Sequence, residues 1–284
     1  MATIQVGFKA FDPHELLCHF VAVNAGLYKR ENIDVELIDI TFVAETELPS
    51  HVSQVSCGAA LGSALRGIPQ RILFVATDKP MFWIYSNNKI KSIGELAKSR
   101  IATFPALAPP YHLANIILRK SGINVEQDVV LLPARDDVAR FGLLASGHVD
   151  AAVISSAIAP AKIVQTGKNM LCFFGDEIRI PTTGLAVDQS YMEKETELIR
   201  TLVNILKQSL SIIHEDPDAV ARVLKEYFDV DDRIKMETAE LLQNYYTHDG
   251  KTTQEIAQNA INTLCNSLSI STAPDWQQIY NLLA

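Results

Sequence analysis

The sequence predicts an α/β protein of two units followed by a helical tail, and three observations support this fold class. The chain has 284 residues, which is more than one ordinary hydrophobic core accommodates. Short apolar runs alternate with helix-length segments over the first 174 residues, as parallel βαβ units require. From Glu193 onward strand signals are absent and only helices are predicted.

The first strand and helix show how element boundaries are predicted. A strand is predicted over Ile4–Phe8 and a helix over Pro13–Lys29, with Asp12 as its N-cap and Glu15 at its third position. Further strands are predicted at 34–40, 55–58, 71–77, 81–86, 100–104, 128–132, 150–154 and 170–174. Further helices are predicted at 59–66, 92–97, 111–121, 136–146, 157–166, 195–214, 217–228, 232–246, 253–267 and 275–283.

Composition excludes several classes of protein. Hydrophobic residues make up 48% and charged residues 20% of the chain, which is typical of a globular protein. The net charge is -8 and the basic residues are scattered, so we expect no nucleic-acid partner. No apolar run reaches the ~18 residues of a membrane span. No signal peptide is evident, so we expect either a cytoplasmic protein or one whose leader was removed.

The sequence predicts no catalytic constellation, no metal site and no cofactor. Its histidines His14 and His19 are five residues apart, so they face different sides of a helix. Adjacent Asp136 and Asp137 suit helix capping better than a catalytic carboxylate pair. The four cysteines are separated and lie in apolar contexts, which favours buried free thiols over disulfides and fits a reducing compartment slightly better. They are Cys18, Cys57, Cys172 and Cys265.

Several phrases in order resemble the NMT1/THI5-like branch of type 2 periplasmic solute-binding proteins. Residues 25–37 read AGLYKRENIDVEL, and 67–69 read GIP before an apolar strand. Residues 90–96 read IKSIGEL, 143–152 read LLASGHVDAA, and 183–187 read TGLAV. This branch includes sulfonate, taurine, nitrate and pyrimidine-precursor binders of ABC importers.

The resemblance implies a two-lobed periplasmic-binding-protein-like fold with the ligand cleft between the lobes. Lobe 1 would comprise residues 1–88 and 185–284, the latter including the C-terminal helices, and lobe 2 residues 89–184. Hinge motion would close the lobes on a small-molecule ligand. The implied partner is the permease of an ABC importer. We expect a monomer, periplasmic or otherwise extracytoplasmic if a leader was removed, and cytoplasmic otherwise.

Loops that follow strands are the expected ligand contacts, because ligands of open α/β sheets bind at the carboxyl ends of strands. In lobe 1 the candidates are Phe11, His14, Gly58 and Ala59. In lobe 2 they are Phe104, Tyr111, His112, Arg135, Ser155 and Ser156. Phe11 could stack on the ligand or staple the following helix. Arg135 could grip an anionic group or pair with Asp136 or Asp137.

The loop from Phe104 to His112 predicts the kind of ligand. Its three prolines remove N–H donors, and it contains no serine, threonine or glycine to replace them. Apolar and aromatic surface suits a planar aromatic or heterocyclic molecule, which could carry one acidic group for Arg135. We therefore expect such a ligand rather than an alkanesulfonate or nitrate.

Two other functions stay open alongside solute binding. The family name also covers a cytoplasmic enzyme of thiamine-pyrimidine-precursor synthesis, which uses iron, pyridoxal phosphate and a CCCFC motif. The only comparable stretch here, Leu171–Phe174, reads LCFF and is predicted to be a core strand. A ligand-sensing protein would use the same fold, but it would need a signalling or DNA-binding partner.

Overall fold

The chain forms two compact units. Its structure, a computed structural model, describes residues 2–106 and 108–282, except for the side chain of Ser267. One unit consists of the chain up to Asp78 together with the chain from Ile180 onward. The other is Lys79–Arg179. The chain therefore passes between the two units twice.

Ten strands and twelve α-helices are formed by the described residues. The strands are β1 Ala2–Phe8, β2 Ile33–Asp39, β3 Val52–Ser56, β4 Gln70–Thr77, β5 Phe82–Ser86, β6 Arg100–Thr103, β7 Val130–Pro133, β8 Ala151–Ser155, β9 Asn169–Phe173 and β10 Thr183–Asp188. The helices are α1 Pro13–Asn24, α2 Leu27–Arg30, α3 Cys57–Leu65, α4 Pro109–Lys120, α5 Asp137–Ala145, α6 Pro160–Val164, α7 Phe174–Glu177, α8 Gln189–Lys194, α9 Thr196–Glu215, α10 Pro217–Phe228, α11 Lys235–Gln243 and α12 Gln254–Leu268. Short 3₁₀ turns lie at Ile93–Leu96 and Trp276–Gln278.

The sheet of the first unit has the strand order β2-β1-β3-β10-β4. β1 runs parallel to β2 and β3, whereas β10 runs antiparallel to β3 and β4. The carboxyl ends of β1 to β4 therefore lie at one edge, where β10 begins. Strands β4 and β10 are buried along almost their whole length, which explains their continuous apolar sequence.

The first helix begins as the sequence predicts but ends earlier. Asp12 is the N-cap, and its Oδ1 accepts the Glu15 N–H at 3.0 Å. The predicted helix to Lys29 is interrupted because Gly26 adopts a left-handed conformation with φ +67°, after which the short α2 begins. The same segment therefore makes two helices instead of one.

The helical tail packs onto the first unit. Helices α9 and α10 contact α1, and α12 contacts α3. Side chains of α3, β4, α12 and the chain end share one buried cluster that includes Cys57, Val75, Ile261 and Tyr280.

The predicted helix 275–283 is wrong over its described residues. After the 3₁₀ turn at Trp276–Gln278, the chain runs beside β4, where Ile72 N donates to Ile279 O at 2.9 Å and Asn281 N donates to Ile72 O at 2.9 Å. These bonds to the open edge of β4 replace the helical ones. Leu283, the last residue of that prediction, lies outside the described residues.

The sheet of the second unit has the strand order β7-β6-β8-β5-β9. β6 runs parallel to β7 and β8, and β5 runs antiparallel to β8 and β9. The expected boundary at residue 88 would place β5 in the first unit, but β5 pairs with β8 from Phe82↔Ser155 to Ser86↔Ala151. Strand β5 is buried along almost its whole length, and β8 and β9 flank it on both sides.

All four cysteines are buried free thiols, as predicted. Among residues 2–106 and 108–282, no helix combines the length and apolarity needed to cross a bilayer.

Gly184 is the position in β10 where a side chain has no room. A Cβ there would overlap the carbonyl oxygen of Phe74 and lie 2.8 Å from its carbonyl carbon. We expect Gly184→Ala to lower the free energy of unfolding by about 3 kcal/mol or more, because only backbone movement can relieve the overlap. Urea unfolding followed by circular dichroism measures this change.

Gly142→Ala is the matched control. Gly142 is exposed in α5, and a Cβ there meets no atom within 4 Å. We expect it to stabilise the protein by roughly 0.5–1 kcal/mol through helix propensity. Equal effects of the two substitutions would show that the close approach of β10 to β4 is absent in solution.

Candidate functional site

Two sheet edges carry the candidate site residues, and each is described within its own unit. The first carboxyl edge comprises residues 9–15, 56–59, 77 and 182–183. The second carboxyl edge comprises residues 103–106, 108–112, 133–137, 140 and 155–156. Both lie where parallel strands end and helices begin.

His14 lies inside the first carboxyl edge, in the first turn of α1. Only 6% of it is exposed, and its Nε2 is 2.9 Å from Thr182 Oγ1 and 3.1 Å from Thr77 Oγ1. Thr77 Oγ1 is also 3.1 Å from Thr183 Oγ1. Burial lowers the pKa of His14 to about 3, so the imidazole is neutral. His14 therefore joins α1 to the end of β4 and to the residue just before β10 through hydroxyl groups.

Phe11 lies on the surface of this edge with 55% of its area exposed. Its ring centroid is 5.9 Å from that of Phe8 and 5.8 Å from those of Phe20 and Phe228. Phe11 thus contacts Phe20 of α1 and Phe228 of α10, and the contact with α1 agrees with the stapling alternative. The rest of the ring remains accessible.

Gly58 and Ala59 lie in the first turn of α3, not in a loop. The Ser56 hydroxyl caps this helix by accepting the Ala59 N–H at 3.3 Å. The strand predicted to end at residue 58 therefore ends at Ser56. The Cys57 N–H donates to Thr182 O at 2.9 Å. A Cβ on Gly58 would meet no atom within 4 Å, so the space beside it is open.

Arg140 organises the second carboxyl edge, and the sequence analysis missed it. Its side chain is fully buried. Nε donates to Val153 O at 2.8 Å, Nη1 to Ala134 O at 2.8 Å, and Nη2 to Asp137 Oδ1 at 2.7 Å. One guanidinium therefore joins β8, the segment after β7 and the start of α5.

Asp137 neutralises that guanidinium and also holds Ser155. Its Oδ1 accepts the Ser155 N–H at 2.7 Å, and its Oδ2 accepts the Ser155 hydroxyl at 2.9 Å. Ser155 and Ser156 are both buried. The hydroxyl of Ser155 is therefore already committed to Asp137 and is a poor candidate for contacting a ligand.

Phe104 lies against Arg140 at the end of β6. The guanidinium carbon is 3.5 Å from the centroid of the Phe104 ring, a cation–π contact. The Phe82 ring meets it in a T-shaped arrangement at 5.4 Å. Phe104 is only half-buried, so part of this fixed aromatic residue is accessible at this edge.

Tyr111 and His112 follow in the first turns of α4. Tyr111 is half-buried and His112 is exposed, with their rings T-shaped at 5.5 Å. The helix starts at Pro109 rather than at Tyr111, because prolines fit the first positions of a helix. Leu107, within the predicted loop, lies outside the described residues.

Arg135 is exposed after β7. Asp136 is the N-cap of α5, since its Oδ1 accepts the Ala139 N–H at 2.7 Å. The predicted capping role of Asp136 is therefore confirmed, whereas Asp137 forms an ion pair with Arg140.

The described part of the chain contains no group of three or more histidine, cysteine, aspartate or glutamate side chains that could hold a metal ion. Instead, Asp12 and Asp136 cap helices, Asp137 pairs with Arg140, and His14 contacts threonine hydroxyls.

Comparisons with known proteins identify both a matching family and similar folds. The family model described as NMT1/THI5 like matches residues 15–220. None of the curated proteins searched matches the chain. The periplasmic aliphatic sulphonate binding protein SsuA from Escherichia coli has a TM-score of 0.78 and 14% identity, covering 100% of this chain and 93% of its own.

Two further structures show how widely the fold is used. The ligand binding component of an ABC-type import system from Staphylococcus aureus, with zinc bound, has a TM-score of 0.76 and 11% identity, covering 99% and 97% of the two chains. The desulfurization enzyme DSZB has a TM-score of 0.73 and 16% identity, also covering 99% and 97%. The predicted periplasmic-binding-protein-like fold is confirmed, and binding proteins and an enzyme share it.

Removing the Asp137 carboxylate should destabilise the protein strongly. Asp137→Ala leaves the buried Arg140 guanidinium without its counter-charge, so we expect the free energy of unfolding to fall by about 3–5 kcal/mol. Glu126→Ala, which breaks the exposed pair with Arg119 in the same unit, should leave it nearly unchanged. Chemical unfolding compares the two variants, and equal losses would contradict the role of Asp137.

Stability should decrease as pH falls below neutral. The folded state holds His14 with a pKa of about 3 and His19 with a pKa of about 4, both lowered by burial from 6.5. Below pH 6.5 these two histidines therefore bind protons in the unfolded chain but not in the folded chain. As pH falls from about 6 to 4, each histidine should lower the free energy of unfolding by up to about 1.4 kcal/mol per pH unit.

His14→Gln tests this pH dependence. We expect a shallower loss of unfolding free energy with falling pH, since one buried imidazole is removed. His112→Gln, at an exposed site on α4, should leave the slope unchanged. Thermal unfolding at a series of pH values measures both slopes, and the same slope in His14→Gln and the unmodified chain would refute the assignment.

Proposed function

The chain belongs to the NMT1/THI5-like family, and on that premise we propose that it is a solute-binding protein which captures a planar aromatic or heterocyclic molecule for an ABC-type importer. The observation that carries the proposal is the half-buried Phe104 ring held between Arg140 and Phe82 at the end of β6. A ring fixed in this way offers a planar ligand a stacking surface at little cost in side-chain entropy.

The start of α4 supports a ligand that needs few hydrogen-bond donors. Pro109 and Pro110 have no N–H, and the Tyr111 N–H already donates to Ala108 O at 3.0 Å. A sulfonate or nitrate would have to exchange its water for several donors. This helix terminus supplies fewer of them than an ordinary one.

The charge of Arg140 does not alter this preference. Asp137 accepts a hydrogen bond from its Nη2, and two carbonyl oxygens accept two more of its N–H groups. The guanidinium is thereby neutralised and fixed from within the protein. It supports Phe104 rather than receiving an anionic group.

The fold also occurs in an enzyme, so catalysis must be argued from side chains. We propose that this chain performs no thiol chemistry. Burial raises the pKa of all four cysteines, and the buried Cys57 lies with its Sγ 3.8 Å from Phe74 O. A nucleophilic cysteine requires a lowered pKa and access to substrate.

We infer the partner and the location of the chain from the descriptions of similar structures. The Escherichia coli neighbour is described as periplasmic and the Staphylococcus aureus neighbour as part of an ABC-type import system. These descriptions support an extracytoplasmic protein that delivers its ligand to an importer permease.

Calorimetry with a hydroxymethylpyrimidine, taurine, an alkanesulfonate and nitrate tests the ligand class. We expect micromolar binding of the hydroxymethylpyrimidine and no comparable binding of the other three. Phe104→Leu, which keeps apolar bulk but removes the ring face, should weaken binding about tenfold. Phe104→Tyr keeps the ring and should bind within about threefold of the unmodified chain.

Two outcomes would contradict the proposal. One is micromolar binding of taurine, the alkanesulfonate or nitrate that Tyr111→Ala leaves unaffected. The other is equal affinity of Phe104→Leu and Phe104→Tyr for the hydroxymethylpyrimidine. Recovery of a converted product after long incubation would instead support the enzyme alternative.

A further inference from the structure

The Arg140 guanidinium covers one face of the Phe104 ring. Its Cζ is 3.5 Å from the ring centroid, which is van der Waals contact with the ring face. No aromatic ring fits between the two groups. A planar ligand that stacks on Phe104 must therefore use the opposite face of the ring.

The guanidinium is a permanent part of this site because the protein holds all three of its nitrogen atoms. Arg140 is fully buried, and it donates to Val153 O and Ala134 O at 2.8 Å and to Asp137 Oδ1 at 2.7 Å. Moving the side chain away would leave buried polar groups without partners, which is strongly unfavourable. A bound ligand therefore meets Phe104 with the cation still behind the ring.

The cation changes the electronic character of the Phe104 ring. The face of a benzene ring carries partial negative charge, and a cation in contact with one face draws π electrons towards itself. The opposite face is thereby less negative than that of an ordinary phenylalanine. Asp137 balances the charge of Arg140 through Nη2, whereas the ring contacts the central carbon of the guanidinium, so this polarisation of the ring persists.

A second aromatic ring lies beside Phe104. Phe82 is also half-buried, and the two rings are T-shaped, with centroids 5.4 Å apart and an interplanar angle of 82°. Two partly accessible rings at a right angle ordinarily favour a cation such as a quaternary ammonium. Here a second cation on Phe104 would share a ring that already contacts Arg140, and the two positive charges would repel each other. The pair of rings therefore disfavours a cationic ligand.

We propose that this aromatic site selects uncharged, electron-rich rings, such as amino-substituted heterocycles, over electron-poor rings and above all over cationic ones. The inference rests on the proposed stacking on Phe104 and adds the electronic character of the ligand. An electron-rich ring places its negative face against the depleted face of Phe104 and gains electrostatic attraction. All the residues that determine this preference belong to the second unit.

Three benzene derivatives test the preference. N,N-dimethylaniline and nitrobenzene are uncharged at neutral pH and share one arrangement of heavy atoms, but the first ring is electron-rich and the second is electron-poor. N,N,N-trimethylanilinium adds one methyl group and a permanent positive charge. By ligand-observed NMR we expect N,N-dimethylaniline to bind about threefold more tightly than nitrobenzene and about tenfold more tightly than the cation. The net charge of -8 would by itself favour the cation.

The double substitution Arg140→Met with Asp137→Asn removes the cation and its counter-charge together, so no uncompensated charge is buried. The asparagine oxygen can still accept the Ser155 N–H. We expect the preference over nitrobenzene to disappear and the preference over the cation to fall to about threefold or less. The matched control is Arg119→Met with Glu126→Gln, which removes an exposed pair from the same unit and should leave both preferences unchanged.

Phe104→Leu gives a second readout that does not depend on the stability of the double variant. It removes the ring while leaving Arg140 and Asp137 in place. All three probes should then bind more weakly, and the preference for the electron-rich ring should be lost. Circular dichroism confirms that each variant is folded before its binding is compared.

The outcomes distinguish this inference from the proposed function. Binding of the cation as tightly as N,N-dimethylaniline, or unchanged preferences in the folded double variant or in Phe104→Leu, would overturn the electronic selection while leaving planar binding intact. Binding of the hydroxymethylpyrimidine without any of the three probes would overturn it too. If taurine or nitrate binds and none of the planar molecules does, the proposed function fails as well. Loss of the preferences in the Arg119 and Glu126 control would show a general effect and count against the inference.

Discussion

The first unit depends on the antiparallel insertion of β10 between β3 and β4. The chain leaves this sheet after β4, builds the second unit, and returns with β10 into a space that only Gly184 fits, against Phe74. The return also brings Thr182 and Thr183 to the carboxyl edge. Thr182 accepts the N–H that starts α3 and contacts His14. The start of α3 and the position of α1 are thus fixed by one strand that is distant in sequence.

Alternating apolar runs and helix-length segments sufficed to predict most elements, because many of their boundaries have a local cause such as the Asp12 cap. Features with non-local causes were missed. The apolar run of β5 is equally suitable for either sheet, and only its pairing with β8 and β9 assigns it to the second unit. The segment after Trp276 follows helical periodicity, yet the open edge of β4 draws it into an extended path through Ile72. In both cases the partner strand is distant in sequence, so the local sequence does not reveal the pairing.

The positions of the candidate residues at sheet edges could be predicted from the sequence more readily than the contacts of their side chains. Strand ends correctly located Phe104 and His14 at sheet edges, but His14 is buried among hydroxyls. Arg140 was missed because an arginine within an amphipathic helix normally faces solvent. Its spacing of four from the buried Leu144 places both on one face, and this was the available signal. Glu15 was predicted as an N-terminal helix residue, and nothing local indicates that its carboxylate reaches back to Lys9.

The two sheets have equivalent topologies: three parallel strands are followed by an antiparallel strand, β10 or β5, in the fourth position. The carboxyl edges of the two sheets nevertheless differ in chemistry. Helix N-termini are ready anion sites in this kind of fold. Here α1 begins with the carboxylates of Asp12 and Glu15, α5 begins with that of Asp136, and α4 begins with two prolines. Three helix starts that could serve an oxyanion are therefore occupied by acidic groups or deprived of donors. In the second unit the half-buried Phe104 ring beside these helix starts favours a planar ligand over an oxyanion.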